Sequence, residues 1–416
     1  MCVWAVEELP VPIPGMNAGG ERTWSGGTAQ RGGSENLPIF GLTTNGSNTL
    51  SASVSQSSIA VQPARRRLDG LDGLRGIAVL LVVLFHGGVL PFGWIGVNLF
   101  FCLSGFLITR ILLDAKAANS GTRSILVPFY VRRALRILPL ATLVALITAL
   151  ATNSGWSTLW YVTYLVNWMP FPPPPRELGH YWTLAVEEQF YLLWPLAVLL
   201  ISPKGSLKLV VTLFVVCSVA RALLIWLPLS FATPHFLGNA TIARADPILI
   251  GAALALGTRN GLDGTQRWRR ISIAVLLLSF VMYAGLEYLR GFHWHPWAPK
   301  TAYIFVEPFL ALAFGASLLF VLLTPPSWLR WRWLEQVGRI SYGVYVIHGC
   351  LSPWLRTNIA DATARTAILL SMSLALAAIS WRLFESPLLS FKDRWPMPSA
   401  RVARSTLNCG QNSARA

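Results

Sequence analysis

Eleven apolar blocks recur along this chain, at roughly 76–91, 94–113, 136–152, 156–169, 188–202, 207–228, 243–257, 271–289, 301–324, 340–356 and 363–384. A helix rises 1.5 Å per residue, so a hydrocarbon core about 30 Å thick asks for about 20 apolar residues per crossing. Most of the blocks approach that length, and they follow one another too closely for soluble domains to intervene. Charged residues make up only 12% of the 416 positions, against 54% hydrophobic ones. A water-soluble domain carries about 25% charged residues, so this chain cannot cover a surface of that kind. The reading is an all-α, polytopic integral membrane protein, and a soluble enzyme is excluded.

The count of 34 Lys and Arg against 18 Asp and Glu leaves a net charge of +16. In a soluble chain that excess would raise nucleic-acid binding. Here the cations sit in short connections between apolar blocks, as the positive-inside rule expects of cytoplasmic loops, and no nucleic-acid partner is expected. Basic loops hold Lys116, Arg123, Arg132, Arg133 and Arg136, then Lys204 and Lys208, then Arg259, Arg267, Arg269 and Arg270, then Arg330, Arg332 and Arg339. The tail adds Lys392, Arg394, Arg401 and Arg404. If all of these face the cytoplasm, an even number of crossings separates one basic loop from the next. Three blocks lie between Arg136 and Lys204, so one of them does not cross. Block 156–169 is the shortest, carries Trp156, Trp160, Tyr161, Tyr164 and Trp168, and runs into four prolines, Pro172 to Pro175. Such aromatic content suits an interface. The expectation is about ten transmembrane helices plus one re-entrant or interfacial segment, with both termini cytoplasmic. An eleven-crossing chain would place the basic tail outside.

Residues 1–67 differ in composition, being rich in Gly, Ser, Thr, Asn and Pro and ending in Arg65-Arg66-Arg67. They are read as a disordered cytoplasmic arm held near an anionic surface by its arginines, with Met16 as an alternative start. Residues 68–390 form the membrane domain and 391–416 a basic cytoplasmic tail. Cys2, Cys102, Cys217, Cys350 and Cys409 are widely spaced and include no C-x-x-C pair, so neither zinc nor a disulfide framework is expected.

Polar residues inside apolar blocks are the informative ones, because each costs a few kcal/mol or more unless paired or hydrated. Arg75 and His86 stand eleven positions apart, on nearly the same helical face and about 16 Å apart along the axis. That places Arg75 near the cytoplasmic boundary and His86 about halfway through the core. Asp72, three positions earlier, can pair with Arg75. An imidazole at that depth is a candidate base, since it titrates near neutrality. The plainer alternative is a neutral histidine hydrogen-bonded between helices. The aligned cation, placed where an anionic cosubstrate enters, favours the base.

A second constellation runs from His180 to Tyr191 and contains Glu187 and Glu188, which point about 100° apart. Both glutamates can act in a site. The alternative is a helix start capped by Thr183 with acidic residues in its first turn. Arg132, Arg133 and Arg136 at the start of a span mark topology or bind a phosphate-bearing cosubstrate. Thr241, Arg244 and Asp246, then Ser341, Tyr342 and His348, and finally Glu385 before Pro387 are each as compatible with packing or capping as with a site.

These pieces together resemble the membrane acyltransferase-3 family. The resemblance is carried by Leu71-Asp72-Gly73-Leu74-Arg75-Gly76 with His86, and by the run Gly96 to Ile108, which includes Phe100-Phe101-Cys102-Leu103-Ser104-Gly105. It continues through Tyr130-Val131-Arg132-Arg133, Arg136-Ile137-Leu138-Pro139, Trp182-Thr183-Leu184 and Glu187-Glu188-Gln189-Phe190-Tyr191. Arg244 and Asp246, Ser341-Tyr342-Gly343-Val344-Tyr345 with His348, and Glu385 with Pro387 complete it, over roughly 68–390. The order of the motifs makes the signal specific, although any one of them is weak. Thr183 stands where serine is common in the family.

The resemblance implies an O-acyltransferase in a bacterial inner membrane. It makes His86 the catalytic base, with Glu187 and Glu188 in a second motif whose role is less settled. Arg75, Arg132 and Arg133 are expected to meet an acyl-CoA donor, by default acetyl-CoA, acting as cosubstrate rather than bound cofactor. Asp72, Ser104, Arg244, Tyr342, His348 and Glu385 are expected to support the site. The acceptor is expected to be a hydroxyl of a carbohydrate or a glycosylated small molecule. Some members carry an additional SGNH-type domain. None follows the last span here, so transfer is expected to finish within the membrane domain or on a separate SGNH-type partner. A multi-span transporter of a small anion or lipid-linked sugar explains the buried charges but not the ordered motifs. A structural or sensory protein predicts that loss of His86 is silent.

Overall fold

The computed structural model describes residues 70–118, 121–227, 230–259, 265–289 and 302–398. The N-terminal arm at 1–67, Met16, Cys2, Cys409, Arg290, Lys300 and the tail beyond 398 lie outside the described residues. Fifteen α-helices follow in chain order among those described. The first four are α1 (Leu71–Gly87), α2 (Gly96–Lys116), α3 (Thr122–Thr152) and the single turn α4 (Leu159–Val162). Next come α5 (Trp182–Leu200), α6 (Pro203–Trp226), α7 (Pro234–Asn239), α8 (Thr241–Arg244) and α9 (Asp246–Gly257). The rest are α10 (Thr265–Leu289), α11 (Ala302–Leu323), α12 (Arg332–Arg339), α13 (Ser341–Asn358), α14 (Ala362–Ser380) and α15 (Ser386–Ser390). No strand occurs among the described residues.

Seven helical stretches, built on α2, α3, α5, α6, α10, α11 and α14, are long and apolar enough to cross a membrane. Helices α1, α9 and α13, of 17, 12 and 18 residues, fall on three more of the expected blocks but are not among those seven. The remaining block, 156–169, contains no helix longer than the four residues of α4, so it does not cross as a helix. Helices extend further than hydropathy indicates where basic residues flank a block. Thus α3 begins at Thr122 rather than 136 and carries Arg132, Arg133 and Arg136 within its length.

Helix α2 lies at the centre, buried along nearly all of its length, whereas α6, α10 and α14 show most of their side chains outward. The outward chains of α10, such as Leu277, Leu278 and Phe280, are apolar, as a lipid-facing surface requires. Without a hydrophobic force between helices in lipid, close approach depends on small residues. Gly105 of α2 and Gly251 of α9 supply it reciprocally. A Cβ on Gly105 would lie 1.8 Å from the Ile248 carbonyl oxygen, and one on Gly251 would lie 2.0 Å from that of Cys102.

Candidate active site

Helix α1 ends at Gly87, and Gly88 follows with φ 96°, its N–H returning to the carbonyls of Leu84 and Phe85. His86 therefore occupies the last turn of a 17-residue helix, not its middle. Its Nδ1 lies 2.9 Å from the Val82 carbonyl oxygen. A carbonyl can only accept, so Nδ1 carries the proton and Nε2 keeps its lone pair. Two more imidazoles stand beside it. The His348 ring, from α13, meets His86 edge-on at 4.8 Å between centroids and donates from Nδ1 to the Tyr345 carbonyl at 2.7 Å. His180 comes from the 3-10 turn Arg176–Tyr181 that feeds α5. It lies 5.4 Å from His348 and donates from Nε2 to the Val346 carbonyl at 3.0 Å. Gly349 makes room for it, because a Cβ there would sit 2.0 Å from His180 Nδ1. Backbone carbonyls thus fix the tautomer of all three rings.

His86 and His180 line a cavity of about 460 Å³, together with Trp94, Trp182, Tyr345, Glu177, Arg176, Arg244 and Arg356. Aromatic faces and a few polar groups around a base suit a hydroxyl-bearing ligand. The Tyr345 hydroxyl is tied to Thr183 Oγ1 at 2.7 Å, and Thr183 also donates to the His180 carbonyl at 2.9 Å. That corrects the capping reading: α5 starts at Trp182, Thr183 lies inside it, and its first turn holds no acidic residue.

Arg244 enters the cavity wall from the end of α8, with its guanidinium 5.2 Å from the centre of the Trp182 ring. It pairs with Glu307 of α11 and donates to Asn98 Oδ1 at 3.2 Å, while Asn98 Nδ2 donates to Glu307 at 3.2 Å. Nearby, Arg221 of α6 grips both carboxylate oxygens of Asp246, at 2.6 and 2.9 Å, with both side chains fully buried.

The other expected site residues do not line this cavity. Glu187, in the second turn of α5, accepts from Ser104 and, at 3.2 Å, from the Tyr191 hydroxyl. Ser104 and Tyr191 also bond to each other at 2.8 Å, and the Arg133 guanidinium stands 5.7 Å over the Tyr191 ring. Glu188 points elsewhere and is half-buried. Arg75 is fully buried and paired with Asp72 at the opposite end of α1. Arg132 donates to the carbonyls of Lys392 and Trp395 at 3.1 and 3.0 Å, so the start of the tail is held against α3. Tyr342 donates to the Ile137 carbonyl, and Glu385, in a π-helical turn after α14, accepts from Ser380 at 3.0 Å.

Sequence reading did not nominate His180, Glu307, Asn98, Arg221, Tyr345 or Arg356. A lone arginine inside an apolar block demands a partner, and that signal, had it been followed, would have found Arg221. Asn98, polar within block 94–113, carried the same signal more weakly.

Fold and cavity define a polytopic helical membrane protein with a histidine-centred site at the C-terminal end of a short helix. Residues 68–382 match the model of the Acyl_transf_3 acyltransferase domain, and the chain belongs to that family. It is 30% identical over 319 residues to a putative peptidoglycan O-acetyltransferase, YrhL, of Bacillus subtilis, covering 68% of this chain and 48% of that protein. It is 27% identical over 369 residues to the peptidoglycan O-acetyltransferase OatA of Listeria monocytogenes, covering 78% and 56%. The O-acetyltransferase OatA of Staphylococcus aureus is 25% identical over 356 residues, covering 78% and 57%. The chain thus spans about half the length of the curated relatives it matches. No solved structure matches.

Proposed function

We propose that this protein is a membrane O-acyltransferase that moves an acetyl group from acetyl-CoA to a hydroxyl of a cell-envelope carbohydrate, with His86 as general base. The observation that carries the reading is the fixed tautomer of His86, whose Nε2 lone pair belongs to a ring on the wall of an aromatic-lined cavity. A hydroxyl is a weak nucleophile until its proton is removed. In the step proposed, Nε2 takes the acceptor's proton as its oxygen attacks the thioester carbonyl. The new C–O bond forms, the C–S bond breaks, and the proton passes to the departing thiolate.

The carbohydrate acceptor is supported by the similarity to peptidoglycan O-acetyltransferases. In this reading Arg75, Arg132 and Arg133 draw the anionic head of the donor to the cytoplasmic side, and both termini face the cytoplasm. Arg244, fixed by Glu307 and Asn98, contributes a cation to the acceptor cavity. Glu187, Ser104 and Tyr191 form a buried brace between α2 and α5 that keeps Trp182 and Thr183 in register with it. A separate SGNH-type partner, where one acts, receives the acyl group after it leaves this cavity.

The test is mass spectrometry of envelope glycans from cells expressing wild type or His86→Ala at matched membrane abundance. An added acetyl mass with wild type, missing with the variant, supports the proposal. Equal acetylation in both removes His86 as the base, and no acetylation with wild type removes the acyltransferase reading for this chain.

A further inference from the structure

The last turn of α1 leaves carbonyls without helical partners, as every helix end does. Here the carbonyl of the candidate base is met from another helix. Ser352 Oγ donates to the His86 carbonyl oxygen at 3.2 Å, and Arg356 Nε donates to the same oxygen at 3.1 Å. One residue further on, Arg365 of α14 donates from Nε to the Gly87 carbonyl at 2.8 Å, and its Nη1 holds the carbonyls of Ile359 and Ala360 at 2.9 and 3.3 Å. Ser352 and Arg356 are one helical turn apart on α13, the helix that also presents His348. The backbone and the back of the His86 ring are therefore referenced to the same helix.

We propose, resting on the acyltransferase reading, that Arg356 with Ser352 is the positioning element for His86, a two-donor clamp that sets where Nε2 points. Two donors on one carbonyl from residues four apart define a direction as well as a distance. Arg356 also lines the cavity, so the clamp closes at the site rather than behind it. Arg365 differs in kind: it ties α14 to the loop before it and touches the backbone after the base. A misplacement near 1 Å costs an oriented reaction on the order of a hundredfold.

The test compares wild type, Arg356→Gln, Arg356→Lys, Ser352→Ala and Arg365→Gln, each as the full chain in nanodiscs, with acetyl-CoA and N-acetylglucosamine oligosaccharides as probes. Arg356→Gln is expected to lower kcat about 10- to 100-fold with KM for acetyl-CoA unchanged within about twofold. Lysine, which keeps a donor and the charge, is expected to restore most of the rate. Ser352→Ala is expected to cost about threefold, and Arg356→Gln is expected to add nothing in a His86→Ala background. A second arm needs no turnover. Carbethoxylation of His86 by diethylpyrocarbonate, mapped by mass spectrometry, is expected to change at least threefold in Arg356→Gln and to stay at the wild-type rate in Arg365→Gln.

Wild-type kcat in Arg356→Gln, or loss through KM alone, overturns the clamp. So does an unchanged labelling rate at His86. If wild type transfers no acetyl, the acyltransferase reading falls with this acceptor, and the labelling arm alone decides whether the clamp exists.

Discussion

Replacing Glu307 by Ala removes the carboxylate that neutralises Arg244 in the cavity wall. Both side chains are buried, at 6% and 1% exposure, so the arginine is left as a largely desolvated charge without its carboxylate. Breaking such a pair typically costs about 3–5 kcal/mol. Arg244 keeps its bond to Asn98 at 3.2 Å and its place over Trp182 at 5.2 Å, and these soften the loss. An expected cost of about 1–4 kcal/mol follows, because a charge-assisted hydrogen bond and a cation–π contact offset about 1–2. Replacing both partners, Arg244→Met with Glu307→Met, removes the orphaned charge and is expected to recover most of the stability. The assay is a double-mutant cycle on unfolding midpoints in one detergent, converted to free energy, with folded fraction followed by fluorescence-detected gel filtration. Coupling of at least about 1.5 kcal/mol is expected, since the residues touch. Single-variant costs that add to within about 0.5 kcal/mol would mean that the pair carries no buried electrostatic energy, and the reasoning about Arg244 would be wrong.

Gly105→Ala places a methyl 1.8 Å from the Ile248 carbonyl oxygen, and no rotamer change can relieve a backbone clash. It is expected to cost more than the 1–3 kcal/mol of ordinary overpacking, read as a lower melting temperature and a poorer yield of folded protein. Gly349→Ala is expected to displace the His180 ring, whose Nδ1 lies 2.0 Å from the added carbon, and to lower acetyl transfer about tenfold or more at near-normal membrane abundance. Ser104→Ala leaves Glu187 its bond to Tyr191 and is expected to be mild, whereas Glu187→Ala removes the acceptor that both hydroxyls share, leaving them only each other, and is expected to cost about 1–3 kcal/mol in the same melts.

The apolar helices were legible because hydropathy and loop charge are local properties, and the seven helices long and apolar enough to cross all fall on expected blocks. The Asp72–Arg75 pair was legible for the same reason, being one turn of one helix. Block 156–169 could be set apart from the spans by its aromatics and prolines. The end of α1 was not legible: Gly87 and Gly88 close the helix just after His86, whereas hydropathy carried the block on to 91. Nor did the sequence show which polar residues meet. Asn98, Arg244 and Glu307 come from three helices separated by up to 209 positions, and only the folded chain brings them together. Thr183 looked like a cap because acidic residues follow it, yet a 3-10 turn over Arg176–Tyr181 leads straight into α5 at Trp182, one residue earlier.

The placement of the site follows from helix length. At 17 and 12 residues, α1 and α9 rise about 25 and 18 Å, less than a hydrocarbon core of about 30 Å, so their ends fall among other helices. Helix ends expose carbonyls and N–H groups, and inside a membrane protein these are tolerated only where protein or a wet cavity satisfies them. The end of α1 is satisfied by Ser352, Arg356 and Arg365, and the short turn before α9 ends in Arg244. The 3-10 turn before α5 brings His180 to the same place. Longer helices such as α3, α6 and α10 present continuous apolar faces and contribute no residue to this cavity. A polar site therefore arises in this fold where short helices stop, and of the residues that satisfy those ends Ser352 and Arg356 are the two that bond the candidate base itself.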